Sequence, residues 1–141
     1  MKIDIIDLKS NYKKIKKELF KNLSSLFEEQ KFILGEKVEE LEKNLSKINK
    51  VKYSLGVSSG TDALILALMA CGIKRNHEVI IPDMTWISTA SSVILSGGKP
   101  VLADVNINDA TLNIDDALKK ITKNTKAIIS VGIYGHMPDL I

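Results

Sequence analysis

Between Asn11 and about Lys50 the apolar residues recur at helical spacing: Tyr12, Ile15, Leu19, Leu23, Leu26 and Phe27, then Val38, Leu41, Leu45 and Ile48. A stripe of this kind predicts two amphipathic helices in succession. The break between them, Gln30-Lys31-Phe32-Ile33-Leu34-Gly35, carries three apolar residues and a glycine, which predicts a buried turn rather than a loose linker. Lys13, Lys14, Lys16, Lys17 and Lys21 flank the first stripe and read as the solvated face of the first helix.

Beyond Lys50 the pattern changes. Short β-type runs alternate with helical stretches, and a strand plus a helix takes about 20 to 25 residues, a length suited to parallel crossovers. The strands are expected at Tyr53 to Val57, Glu78 to Ile81, Pro100 to Val105 and Lys126 to Val131. The helices are expected at Thr61 to Cys71, closed by Gly72, at Ile87 to Leu95, closed by Gly97-Gly98, and at Ile114 to Lys120, capped by Asn113 or Asp115. Near-continuous apolar runs such as Val79-Ile80-Ile81 and Ala127-Ile128-Ile129 are what a sheet covered on both faces requires. The fold class is therefore α/β, a mostly parallel sheet with crossover helices, preceded by an N-terminal helical segment. The expected division is residues 1–50 for the helical segment and 51–141 for the sheet-bearing part. The closing run Tyr134 to Ile141 opens what looks like another helix just as the sequence stops, which reads as a truncated product or a fragment of a larger chain.

Composition narrows the class. With 45% hydrophobic and 26% charged residues among 141, and a mean hydropathy near zero (+0.05), the balance is that of a soluble globular unit. The net charge of +3 is small and interspersed, so nucleic acid is not an expected partner. A lone cysteine, Cys71, excludes an internal disulfide and fits a reducing compartment; at a helix end it is expected to be a buried or half-buried thiol. The start, Met1 to Asp7, lacks the apolar core of a signal peptide, and no run approaches the ~18 apolar residues of a membrane span, so a cytoplasmic protein is expected.

Two segments carry the strongest chemical signal. Val57-Ser58-Ser59-Gly60-Thr61-Asp62-Ala63-Leu64 joins a strand end to the start of an apolar helix. There the free N–H groups of the first turn, with the hydroxyls of Ser59 and Thr61, form an anion site of phosphate size, and Gly60 admits close approach of the backbone. An ordinary Ser/Thr cap on a core helix fits this segment equally well. The pattern is neither that of a dinucleotide fingerprint nor that of a nucleoside triphosphate loop. Pro82-Asp83-Met84-Thr85-Trp86-Ile87-Ser88-Thr89 also follows a strand, at the edge of an open α/β sheet where ligands bind. Trp86, the only tryptophan, is placed either to lie against a planar heteroaromatic cofactor or to start a core helix. A phosphate cradle and a flat aromatic surface at two strand ends together favour a phosphorylated aromatic cofactor. Asp104, at a third strand end, orients a ligand or holds its own loop, with the loop role ahead. His77 is expected exposed in a turn, His136 lies in a turn near the close, and no cluster has metal-ligand spacing.

In order along the chain these motifs resemble the DegT/DnrJ/EryC/StrS family of pyridoxal-phosphate (PLP) sugar aminotransferases. The likeness rests on Asp7-Leu8 with Tyr12, Phe32 to Gly35, Ser59 to Leu64, Glu78 to Pro82, Thr85-Trp86, Pro100-Val101 with Asp104, Thr125 to Ile128 and Tyr134-Gly135. It implies the N-terminal part of the large domain of a fold-type-I PLP enzyme, a homodimer when complete, with the Phe32 to Gly35 turn contributing to the interface. It implies that the backbone and hydroxyl at Gly60, Thr61 and Asp62 hold the PLP phosphate and that Trp86 stacks on the pyridine ring. The implied reaction moves an amino group from an amino acid, glutamate as donor, to a nucleotide-linked keto-sugar. The family's Schiff-base lysine and the aspartate that pairs with the pyridine nitrogen belong to motifs downstream of Tyr134-Gly135. No catalytic residue is therefore assigned, and the 141-residue chain alone is expected to be inactive. Gly132-Ile133 departs from relatives that carry a histidine before the Tyr-Gly turn. A PLP- or pyridoxamine-phosphate (PMP)-dependent sugar dehydratase, a non-catalytic phosphate-binding α/β module and a non-functional truncated product fit the same residues.

Overall fold

Asp7 opens the first helix, α1 (Leu8–Glu29), its carboxylate accepting the Ser10 N–H at 3.0 Å. The computed structural model describes residues 7–136. Residues 1–6, with the first part of the opening motif, and 137–141, with most of the closing apolar pattern, lie outside the described residues. The described chain forms two compact units that meet in sequence at Gly56 and Val57.

In the first unit, Gln30 turns α1 off in a left-handed conformation and α2 (Glu36–Ile48) begins after Gly35. Glu36 and Glu39 in the first turn of α2 and Lys47 in its last match the helix dipole. The turn between the helices departs from expectation. Phe32, Ile33 and Leu34 are 56%, 87% and 82% exposed rather than buried. Phe32 meets the edge of Phe27 at 5.6 Å between ring centroids, but among the described residues α1 and α2 are not packed along one another, so the turn stays open. The stripe residues Tyr12, Ile15, Leu19 and Leu23 are partly open for the same reason.

The expected strand at Tyr53 to Val57 is irregular backbone. Alternating side chains supply a strand with a face but not with a neighbour, and among the described residues no strand runs beside this segment. The Gly56 N–H instead donates to the Glu42 carboxylate at 2.7 Å, and Tyr53 and Leu55 stay exposed.

The second unit is α/β. After α3 (Gly60–Ala70), strand β1 (Glu78–Pro82) leads through α4 (Ile87–Leu95) to β2 (Lys99–Ala103), and β2 leads through α5 (Ile114–Lys119) to β3 (Thr125–Ile128). The strands pair in parallel in the order β2-β1-β3, with Ile80 opposite Val101 and Ile128. Period-two alternation sends Val79 and Ile81 to one face, where they meet Leu68, Ile73 and Val93, and Ile80 to the other, where it meets Ala103, Leu112 and Ala117. Burial on both faces explains why the central strand reads as an unbroken apolar run. Asn113 supplies the cap of α5, accepting the Asp116 N–H at 3.0 Å.

Two glycines behind α4 fix how closely it returns to the sheet. Gly97 adopts φ +90°, and a Cβ on Gly98 would stand 2.7 Å from Ile73 Cγ2 and 3.2 Å from Val93 Cγ1. Gly98→Ala is expected to cost about 1–3 kcal/mol through overpacking, read as a lower urea midpoint at unchanged slope. An unchanged midpoint would show that Ile73 moves aside freely. Cys71, expected to be covered, is exposed: it ends α3 on the outside of the turn that Gly72 makes at φ +73°.

Candidate functional site

The cap of α3 is built from Ser58, Ser59 and Asp62. Ser59 has extended backbone and its Oγ accepts the Asp62 N–H at 3.1 Å. The Asp62 carboxylate accepts the Ser58 hydroxyl and, at 2.7 Å, the Ser59 hydroxyl. These bonds, that of Ser58 first, hold the Asp62 carboxyl below the usual carboxylate range. The acid is thereby turned onto its own loop. With the Asp62 amide capped, the N–H groups of Gly60 and Thr61 stand at the helix start, where no preceding turn supplies acceptors. Nothing lies within 4 Å of the place a Gly60 Cβ would take. The first turn of α3 therefore has open space at the position a Gly60 side chain would take.

Trp86 sits past the end of β1 as the residue that caps α4. It makes no side-chain cap bond, and it is 78% exposed. The ring is consequently not a core element, which removes one of the two roles its position allowed. Two residues further on, Ser88 Oγ accepts the Thr61 hydroxyl at 2.8 Å. This half-buried bond, spanning 27 positions of sequence, ties the start of α3 to the start of α4 and so brings Gly60 and Thr61 to the segment that carries Trp86. Ser88 has no motif of its own, and a hydroxyl on one helix start is not legible as the partner of a hydroxyl on another. The Ser58 bond to Asp62 is local, and its signal was the Ser-Ser-Gly-Thr-Asp run itself.

Asp104, at the end of β2, behaves structurally. Asp104 Oδ1 accepts the Val105 N–H at 2.8 Å, while the Asp104 N–H donates to Asp116 Oδ2 at 2.7 Å. That backbone bond and the Lys120 ammonium, 2.6 Å away, hold the Asp116 carboxyl low. Asp83, Asp104, Asp116 and Lys120 line a cavity of about 300 Å³ beside Leu102 and Ala103, separate from the open turn at Gly60. His77 is half-buried rather than exposed, its Nδ1 accepting the Lys74 N–H at 3.2 Å, so it is a turn-former. His136 is exposed, its Nε2 3.9 Å from the Asp109 carboxylate. Among the described residues no set of His, Cys, Asp and Glu is arranged to hold a metal, and no helix is long and apolar enough to cross a membrane.

Residues 13–141 match the DegT/DnrJ/EryC1/StrS aminotransferase family, and the chain belongs to that family. It is 40% identical over 139 residues to the UDP-2-acetamido-2-deoxy-3-oxo-D-glucuronate aminotransferase of Pseudomonas aeruginosa, which covers 97% of this chain and 38% of that protein. Its fold superposes on DesV of S. venezuelae with a TM-score of 0.92 at 31% identity, over 97% of this chain and 37% of DesV. It superposes on NtdA of Bacillus subtilis, solved with bound cofactor PMP, with a TM-score of 0.84 at 33% identity, over 87% of this chain and 28% of NtdA. The chain thus spans less than two-fifths of the length of these relatives.

The residues present fit a phosphorylated pyridine. The N–H groups at the start of α3 suit a phosphate, no side chain occupies the place of a Gly60 Cβ, and the exposed Trp86, two residues before Ser88, is a flat apolar side chain of the kind that covers a pyridine ring. Neither Ser58 to Asp62 nor Pro82 to Thr89 contains a lysine.

Proposed function

We propose that this chain is the cofactor-cradling part of a PLP-dependent aminotransferase, with residues 1–50 as a helical segment ahead of a cofactor-binding region at 51–141. The reaction is amino transfer from an amino acid, glutamate as donor, to a nucleotide-linked keto-sugar. The observation that carries this reading is the pairing of the open first turn of α3 with the exposed Trp86 through the 2.8 Å Thr61–Ser88 bond. Bound PLP supplies the electron sink and the group that carries nitrogen between the two substrates.

The chain's own residues bind and orient. The Gly60 and Thr61 N–H groups, with the helix dipole behind them, take the phosphate. Asp62, locked by Ser58 and Ser59, keeps the turn in the conformation that presents those donors. Trp86 covers one face of the ring and keeps water from it. A lysine for the covalent anchor has to come from outside these two segments. The setting proposed is a cytoplasmic homodimer in which the exposed Phe32 to Leu34 turn is covered by the second copy.

Because Trp86 is the only tryptophan, its fluorescence reports the site directly. PMP, which has no aldehyde to react with surface lysines, is expected to quench it saturably, and inorganic phosphate to compete. Quenching that rises linearly without saturation, or that is indifferent to phosphate, would contradict the reading.

A further inference from the structure

The Thr61–Ser88 bond poses a question of proton direction. As the side chains stand, Thr61 donates its only hydroxyl proton to Ser88 Oγ, which leaves Thr61 nothing to give to an anion at the helix start. A hydroxyl, however, has one donor and two acceptor positions and turns to suit its partners. Ser88 is half-buried in the first turn of α4 and carries a proton of its own.

Resting on the cofactor reading above, we propose that Ser88 is a positioning residue that polarises Thr61 for phosphate. When a phosphate occupies the start of α3, the pair reverses: Ser88 donates to Thr61 Oγ1, and Thr61 donates to a phosphate oxygen. No bond to carbon forms or breaks, and no proton leaves either hydroxyl. The gain is that the Thr61 proton has an acceptor in both states. Its bond to the phosphate is charge-assisted and is strengthened by the bond it receives. Other hydroxyls near the start of α4 are already engaged: Thr85, ahead of the helix, and Thr89 bond one another at 2.9 Å, and the Ser92 hydroxyl donates to the Thr89 carbonyl at 3.0 Å.

The test compares PMP with pyridoxamine, which has the same ring without the phosphate, in titrations of the chain followed by Trp86 fluorescence. Ser88→Ala is expected to weaken PMP binding about fivefold, the loss of one hydrogen bond, and to leave pyridoxamine binding unchanged. Ser88→Thr is expected to restore PMP binding. Adding Ser88→Ala to Thr61→Val should cost nothing beyond Thr61→Val alone, since the serine acts only through the threonine. Equal weakening for PMP and pyridoxamine would show that Ser88 merely supports Trp86, and unchanged PMP binding in Ser88→Ala would remove the role, both leaving the cofactor reading intact. Failure of the unsubstituted chain to bind PMP would overturn the cofactor reading and this refinement together.

Discussion

Trp86→Ala is expected to lower PMP affinity about fivefold or more while leaving the melting temperature of the chain nearly unchanged. The two halves of that expectation come from the same observation. A tryptophan 78% exposed at a helix cap, with no side-chain cap bond, contributes little to folding, so its truncation opens no cavity in the core. Stacking an aromatic ring on a flat heterocycle is worth about 1–3 kcal/mol, which corresponds to roughly a five- to 150-fold change in affinity. Trp86→Phe keeps a flat apolar face and is expected to retain most of the binding by equilibrium dialysis, a measurement that does not depend on the indole. If alanine and phenylalanine both bind PMP as tightly as tryptophan, the ring is not part of the site. If alanine unfolds the chain, Trp86 is a structural residue despite its exposure.

The sequence disclosed most where structure is decided locally. The Ser-Ser-Gly-Thr-Asp run predicted a capped helix start, and Ser59 and Asp62 make that cap within three residues of one another. Val79-Ile80-Ile81 predicted a doubly covered strand because burial on both faces leaves no polar position in the run. Gly72 and Gly97 marked helix ends because left-handed backbone favours glycine. The misreadings fall where a surface has to be supplied by something distant. Tyr53 to Val57 alternates like a strand, but alternation cannot say whether a neighbour is present. Phe32 to Leu34 is apolar enough to be buried, yet no described element packs over it. Cys71 followed the average for its residue type and sits on the outside of its turn. The site divides in the same way. Gly60, Thr61 and Asp62 stood out from residue type at the end of an expected strand that the structure does not form, and Trp86 from its place past the end of β1. The bond that joins Thr61 to Ser88 did not, because a contact across 27 residues leaves no trace in either local pattern.

Gly60 gives the sharpest separation of binding from folding. Its φ is not in the left-handed region, and a Cβ there would meet nothing within 4 Å, so the fold itself does not require glycine at this position. On the proposed placement of the phosphate at the Gly60 and Thr61 N–H groups, a β-branched side chain added there is expected to obstruct its approach. Valine costs the helix start a few tenths of a kcal/mol at most relative to glycine, since glycine is itself a poor helix former. Its effect on an incoming phosphate is steric and large. The contrast with Gly98 is informative: there an added methyl group strikes Ile73 and Val93 and penalises the fold, whereas at Gly60 only a ligand would meet it.

The measurement that bears most directly on the phosphate cradle is therefore equilibrium dialysis of PMP against the chain and its Gly60→Val variant, with circular dichroism melts of both. Melting curves that superimpose are expected, with an affinity at least tenfold weaker in the variant, a difference of about 1.4 kcal/mol or more. Equal affinity with superimposable melts would place the phosphate somewhere other than the start of α3 and contradict the account.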